Sequence, residues 1–342
     1  MASLASLRIN SYIFIGLLFL VFAIFMSVLV FILKIDWWWM IIFTMIIVIF
    51  QIGISSSIVK WTTGTRILDK GENPYLEKVV MDLTRKAGIP MPRLGIVEDP
   101  TPNAFVFGLT QKGATLSVHR GLLEKLNDKE IRAVIGHEVG HIKNRDCMYM
   151  TFLSVIPLIA YMGMRMLFYA RFGRSKNALP IILIGLVSLI VYFLSSLLIK
   201  RLSRIREYYA DAYSGYITKD PQSLSSALTK ITYGLSLAPP EEKSKNAARS
   251  FYIGDVQNAH NDMQRIIRNK NKYDLDGDGV IDEKELELAM QEEAESSAWD
   301  RFSGLFSTHP PTFRRILALK EMERDMKTGI LKDDNIYEKV EF

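Results

Sequence analysis

Cysteine is nearly absent: Cys147 is the single one in 342 residues. That excludes an intrachain disulfide framework and agrees with a reducing compartment. Internal repeats and low-complexity tracts are lacking too, which removes repeat architectures. The net charge is +5 and the pI is near 9.0, but no array of interleaved basic and aromatic residues occurs. Nucleic acid is therefore not an expected partner, and the positive charge fits contact with anionic lipid. Charge is scarcest in four stretches. Residues 12–33, 37–59 and 179–199 are apolar runs of spanning length, and residues 150–170 form a fourth, interrupted by Arg165. With 49% hydrophobic residues and a mean hydropathy of +0.12, the chain reads as a membrane protein whose first partner is the bilayer.

The first run is longer than the apolar core of a secretory signal, lacks a small-residue cleavage site, and is followed at once by a second span, so it reads as a retained anchor. Basic residues near the spans gather on one side: Arg8, Lys60, Arg66, Lys143, Arg145, Lys200, Arg201, Arg204 and Arg206. The other side has Lys34, Arg171, Arg174 and Lys176. By the positive-inside rule the termini and both polar regions are cytoplasmic, in a multi-pass protein of the cell membrane. Four parts follow: a transmembrane hairpin (1–59), a first polar block (60–149), a second hairpin (150–199) and a second polar block (200–342).

In the first block a helix over residues 74–86 precedes three β-prone runs, at 94–98, 104–109 and 114–119. The segment "NDKEIRAVIGHEVGHIKNRD" then reads as a helix, with Asn127 as cap and Glu130 three residues on. Gly136 and Gly140, four apart inside it, each cost about 1 kcal/mol relative to alanine, which is explained by close approach of a neighbouring element. His137 and His141 share one face and can hold one zinc ion, with Glu138 as general base toward the attacking water. A third ligand is required. His119, His260 and His309 are possible, and Cys147 is a distant candidate; the best lies in "RIREYYADAYSG", where Glu207 and Asp211 stand four apart directly after the last span. If the helices on both sides of the second hairpin continue out of the membrane, Glu207 meets the histidines about 12 Å beyond the boundary. Asp211 then accepts a hydrogen bond from the far nitrogen of a ligand histidine.

These residues, together with "PNAFVFG" at 102–108 and "FSTHPPTFRRI" at 306–316, resemble the HtpX-type membrane zinc endopeptidases, relatives of the CAAX prenyl endopeptidases. The resemblance implies an α+β fold with four transmembrane helices and a cytoplasmic zincin-type domain. It implies His137, His141 and Glu207 as zinc ligands and Glu138 as the base. Asn103, Ala104 and Phe105 match the family's substrate-side edge strand, and His309 and Arg315 look like donors to the oxyanion. The implied substrates are misfolded or damaged membrane proteins. The alternatives are a prenyl-protein type of endopeptidase, or a calcium-responsive scaffold with structural zinc.

One segment departs from that family pattern. "DLDGDGVIDEKE" at 274–285 matches an EF-hand loop, offering Asp274, Asp276, Asp278, the Val280 carbonyl, Asp282 and Glu285 to calcium. Met263, Ile266 and Ile267 before it, and Leu286, Ala289 and Met290 after it, read as the apolar faces of flanking helices.

Overall fold

Lys34, in the left-handed region at φ 53°, turns the chain between two long apolar helices, α1 (Leu4–Leu33) and α2 (Trp37–Thr63). The computed structural model describes residues 4–172, 178–236, 263–264, 266–276, 285–286, 288–289 and 307–329. Among them four helices are long and apolar enough to cross a bilayer, with candidate spans at Ile9–Leu33, Trp37–Thr63, Asp146–Arg165 and Leu179–Thr218. The run expected at 150–170 is not one helix. It divides at Ser154 into α6 (Asp146–Leu153) and α7 (Val155–Phe172). Gln51 of α2 donates to Thr151 O (3.0 Å) and to Ser154 Oγ (2.7 Å), and Ser154 Oγ itself donates to Thr151 O (2.8 Å). These bonds satisfy backbone and hydroxyl groups at a break that lipid could not solvate.

A four-stranded sheet lies outside the spans, with β1 (Arg66–Ile67), β2 (Arg93–Val97), β3 (Ala104–Phe107) and β4 (Thr115–His119) in the order β1-β2-β4-β3. The pairs β1·β2 and β3·β4 are antiparallel and β2·β4 is parallel, which leaves β3 at one edge. Helix α3 (Pro74–Ala87) is capped by Asn73, which accepts from Leu76 N, and ends at Gly88 in the left-handed conformation. The short α4 (Arg120–Lys125) follows β4 directly.

The helix with the paired histidines, α5 (Asp128–Asn144), begins with the expected capping box between Asn127 and Glu130. Glu130 also accepts from Ser226 Oγ (2.6 Å) and Lys230 Nζ (2.8 Å), tying the start of α5 to α9 (Pro221–Ser236). Helix α8 (Ala178–Thr218) runs without a break from the last span to the far side of the site. Expected continuity therefore holds for α8 and fails after His141: α5 stops at Asn144, Arg145 turns in the left-handed region at φ 57°, and α6 restarts at Asp146.

Gly136 and Gly140 face α8. A Cβ on Gly140 would stand 3.3 Å from Ala210 Cα and from Tyr213 Cβ, and one on Gly136 would stand 3.1 Å from Ser214 Oγ. Ser214 Oγ donates to Ala133 O at 2.6 Å across this crossing. The main hydrophobic core draws Val134 and Ile135 of α5, Tyr213 and Ile217 of α8, and Ile316 and Leu319 of α10 (Thr312–Lys327) into one cluster. Both polar blocks thus build a single core on either side of the second membrane hairpin.

Gly140→Leu overpacks a contact made by backbone, which cannot withdraw, and should destabilise the protein by about 1–3 kcal/mol. Gly53→Leu, with nothing within 4 Å of the added Cβ, is the matched control. Thermal unfolding in detergent should show a lowered midpoint for the first variant and an unchanged one for the second.

Candidate active site

Three side chains converge where α5 crosses α8. His137 Nε2 and His141 Nε2 lie 3.1 Å apart, His137 Nε2 is 3.7 Å from Glu207 Oε2, and His141 Nε2 is 3.6 Å from Glu207 Oε1. Two nitrogens in a tetrahedral zinc shell, each about 2.0–2.1 Å from the ion, stand about 3.3 Å from one another. The triangle is therefore of the size a zinc ion needs. Its polarity fits as well. His137 Nδ1 is 2.9 Å from Asp211 Oδ1, and His141 Nδ1 is 2.7 Å from Asp146 Oδ2. A carboxylate only accepts, so a proton on each Nδ1, facing Asp211 and Asp146, leaves the two Nε2 atoms with lone pairs toward one another. That arrangement is repulsive without a cation between them. Glu207 Oε2 is likewise buried with no hydrogen-bond partner among the described residues. Burial depresses the pKa of both histidines, keeping them neutral as ligation requires.

The carboxylates are held from behind by arginines. Arg315, 1% exposed, donates through Nε to Asp211 Oδ2 (2.8 Å) and through Nη2 to Asp211 Oδ1 (2.7 Å), and its Nη1 is 3.3 Å from Glu207 Oε2. Burial works against its charge, but Asp211 and Glu207 outweigh it and raise its pKa. Arg206 pairs with Asp146 and donates to Asn144 O (3.1 Å) across the α5–α6 break. Arg204 is buried and donates to Ser307 O (2.7 Å). Two arginines counted among the membrane-flanking charges thus belong to the interior of the site. The remaining asymmetry, from Arg8, Lys60, Arg66, Lys143, Arg145, Lys200 and Arg201, keeps its sign. Asp146 and Arg206 were not expected as site residues. The available signal was an aspartate at a helix break five residues after a ligand histidine, and an arginine beside Glu207.

Glu138 is 3% exposed. Burial first, and then the Glu207 carboxylate, push its pKa well above the usual carboxylate range, with Arg315 opposing. His309 lies 3.4 Å from Glu207 Oε2 through Nδ1, and both ring nitrogens are buried without a hydrogen-bond partner among the described residues. The other candidate ligands stand apart. His119 Nδ1 is 3.1 Å from Thr101 O at the end of β4, and Cys147 Sγ donates to Val106 O (3.4 Å). His260 lies outside the described residues. Asn103, Ala104 and Phe105 are buried, and Asn103 O accepts from His119 N (2.9 Å). What β3 offers at the sheet edge is its backbone: β4 pairs with it on one side, and on the other Val106 O already accepts from Cys147 Sγ.

Asp274, Asp276 and Glu285 each present a carboxylate oxygen within 4.8 Å of the others. Glu285 is buried, and its Oε1 accepts from Leu275 N at 2.6 Å. Asp278, Val280, Asp282 and Met290 lie outside the described residues. Met263, Ile266, Leu286 and Ala289 pack into the main core as expected of flanking helices, whereas Ile267 is 61% exposed and does not.

The model of peptidase family M48 matches residues 70–323. Among similar proteins, "Protease HtpX homolog 2" of Methanosarcina mazei is 32% identical over 276 residues, 80% of this chain and 80% of its own. "Protease HtpX homolog" of Moorella thermoacetica is 31% identical over 293 residues, 84% and 85% of the two chains. That of Methanothermobacter thermautotrophicus is 41% identical over 191 residues, 56% and 71%. The crystal structure of S. mikatae Ste24p shares the fold, with a TM-score of 0.51 at 18% identity, covering 92% of this chain and 67% of that one. A family match across most of both polar blocks, relatives that carry it through the spans, and a cluster sized for zinc leave no room for the non-enzymatic scaffold. The chain belongs to peptidase family M48 and is a membrane-anchored metalloprotease of the HtpX type.

Proposed function

We propose that the protein hydrolyses peptide bonds of misfolded or damaged membrane proteins on the cytoplasmic side, with His137, His141 and Glu207 holding the zinc ion. The observation that carries the ligand set is the pair of Nε2 atoms 3.1 Å apart with the Glu207 carboxylate oxygens 3.6 and 3.7 Å from them. The ion supplies a Lewis acid for the scissile carbonyl and acidifies water. Glu138 takes the proton of the attacking water and passes it to the leaving amine. Burial and the Glu207 carboxylate raise the pKa of Glu138, which makes it a stronger base than an ordinary glutamate. His309 fits the oxyanion role expected of it, because its buried ring nitrogens have no other hydrogen-bond partner among the described residues. Arg315 fits that role poorly. Its guanidinium is spent on Asp211 and Glu207, so we assign it to positioning: it locks Asp211 against His137 and orients the third ligand. Asp146 does for His141 what Asp211 does for His137, with Arg206 holding it. Substrate adds to the backbone edge of β3 as an extra strand. The cytoplasmic orientation is supported by the basic residues that remain at the span ends.

Calcium at Asp274, Asp276, Asp278, Val280, Asp282 and Glu285 is part of the same proposal, resting on the loop pattern and on the three carboxylates that converge. Because the flanking residues Met263, Ile266 and Leu286 share the core with Ile316 of α10, an ion there braces the segment that delivers His309 and Arg315.

Three outcomes test this reading. Glu138→Gln should lower kcat by about 10²–10⁴-fold on an unfolded protein substrate while zinc content stays equal to wild type. Loss of zinc with activity would instead make Glu138 structural. Asp146→Asn should weaken zinc binding by about 10–100-fold in competition with a chromogenic chelator, and the zinc-saturated variant should keep a kcat within a few fold. For calcium, titration of the zinc-loaded protein followed by intrinsic fluorescence should show saturable binding that Glu285→Gln abolishes. No binding by wild type at millimolar calcium would remove that ion from the account.

A further inference from the structure

Four observations place the candidate site at the membrane surface rather than at a distance from it. Helix α8 is unbroken, and its apolar run ends at Ile199, eight residues before Glu207. At about 1.5 Å per residue the third ligand is at most about 12 Å above that boundary, and any tilt brings it closer. Helix α1 reaches the same level from the opposite direction: Leu18 packs with Leu202, and Phe14 packs in the cluster of Ile205, Tyr208 and Tyr209, the last two being the residues just after Glu207. Tyr12 and Ile13 beside it are exposed, at 68% and 52%, an apolar surface on the α1 turn that packs beside Glu207. Asp146, which holds His141, is the first residue of the candidate span Asp146–Arg165.

The edge strand is placed likewise. Phe105 and Phe107 of β3 cluster with Val59, the last apolar residue of the α2 run, and Val106 O accepts from Cys147 at the start of α6. Strand β3 is therefore pinned between the ends of two spans, close to the headgroup layer, which is only about 5–8 Å thick on each side.

We propose that the bilayer acts as a ruler for this protease: it cuts a membrane-anchored polypeptide at a fixed distance from the end of that polypeptide's own span. This rests on the reading that its substrates are membrane proteins. An extended chain climbs about 3.3 Å per residue, so about four residues cover 12 Å, and about four more lie along the four-residue β3. The bond cut then lies about four to eight residues beyond the last apolar residue of the substrate's span, whatever the sequence there. Folded domains closer to the membrane than that are not cut, because they hold the segment away from β3. Tethering also raises the local concentration of such segments to about the millimolar range, which a soluble polypeptide does not share.

The test uses the full-length, zinc-loaded protein in liposomes with a single-span model substrate whose protruding tail is unstructured and built from identical repeats. Spacers of four and eight residues are inserted between span and repeats, the cut sites are mapped by mass spectrometry, and a soluble protein with the same repeats is run in parallel. The ruler predicts cuts that stay at four to eight residues from the span in every spacer series, with the tethered substrate cut at least about tenfold faster than the soluble one. Cuts that move outward with the repeats, or scatter along the tail, overturn the ruler and leave the membrane-substrate reading intact. Cleavage of the soluble protein alone overturns both.

Discussion

Two imidazole nitrogens facing one another at 3.1 Å are the constraint on which the rest of the structure depends. Lone pairs so close repel, and the rings stay in that pose because each far nitrogen is held by its own carboxylate, Asp211 for His137 and Asp146 for His141. Those carboxylates are held in turn by arginines, the buried Arg315 and the half-buried Arg206. Isolated buried charge is costly, and this network sets carboxylates against arginines and imidazoles around a triangle of the size a zinc ion needs. A cation here satisfies Glu207 and the two histidines at once, which links metal binding to the stability of the α5–α8 crossing.

That crossing requires small residues where the helices touch. Gly136 and Gly140 sacrifice helix propensity so that Ser214 can approach the first and Ala210 and Tyr213 the second, and the same approach brings Glu207 to His137. The break at Arg145 has a comparable logic. An uninterrupted α5 would carry residue 146 onward around the helix; the left-handed turn at φ 57° instead brings Asp146 back toward His141 and starts a new helix into the membrane. Metal site and membrane entry are thus one piece of structure, which is why the site sits low over the bilayer.

Much of this was legible in the sequence. The spans were marked by runs of apolar residues, the metal helix by its capping box and by paired histidines, and Glu207 by its place after the last span. Two glycines inside a helix correctly announced a close neighbour. The Ser154 break was hidden because it depends on Gln51, about a hundred residues away in sequence. Asp146, Arg204 and Arg206 were hidden for a different reason: next to a span, a charged residue has an ordinary explanation in membrane orientation, and only tertiary contact shows it facing inward. Arg315 was found by resemblance and its partners were not, since a bidentate pair with Asp211, 104 residues away, leaves no local trace.

Zinc K-edge absorption spectroscopy on the purified protein tests the central claim most directly. The account predicts one zinc per chain bound only by nitrogen and oxygen at about 2.0–2.1 Å, with the outer-shell signature of two imidazoles. A sulfur ligand at about 2.3 Å, which Cys147 alone could supply, would contradict the ligand set, as would a site that stays empty at stoichiometric zinc.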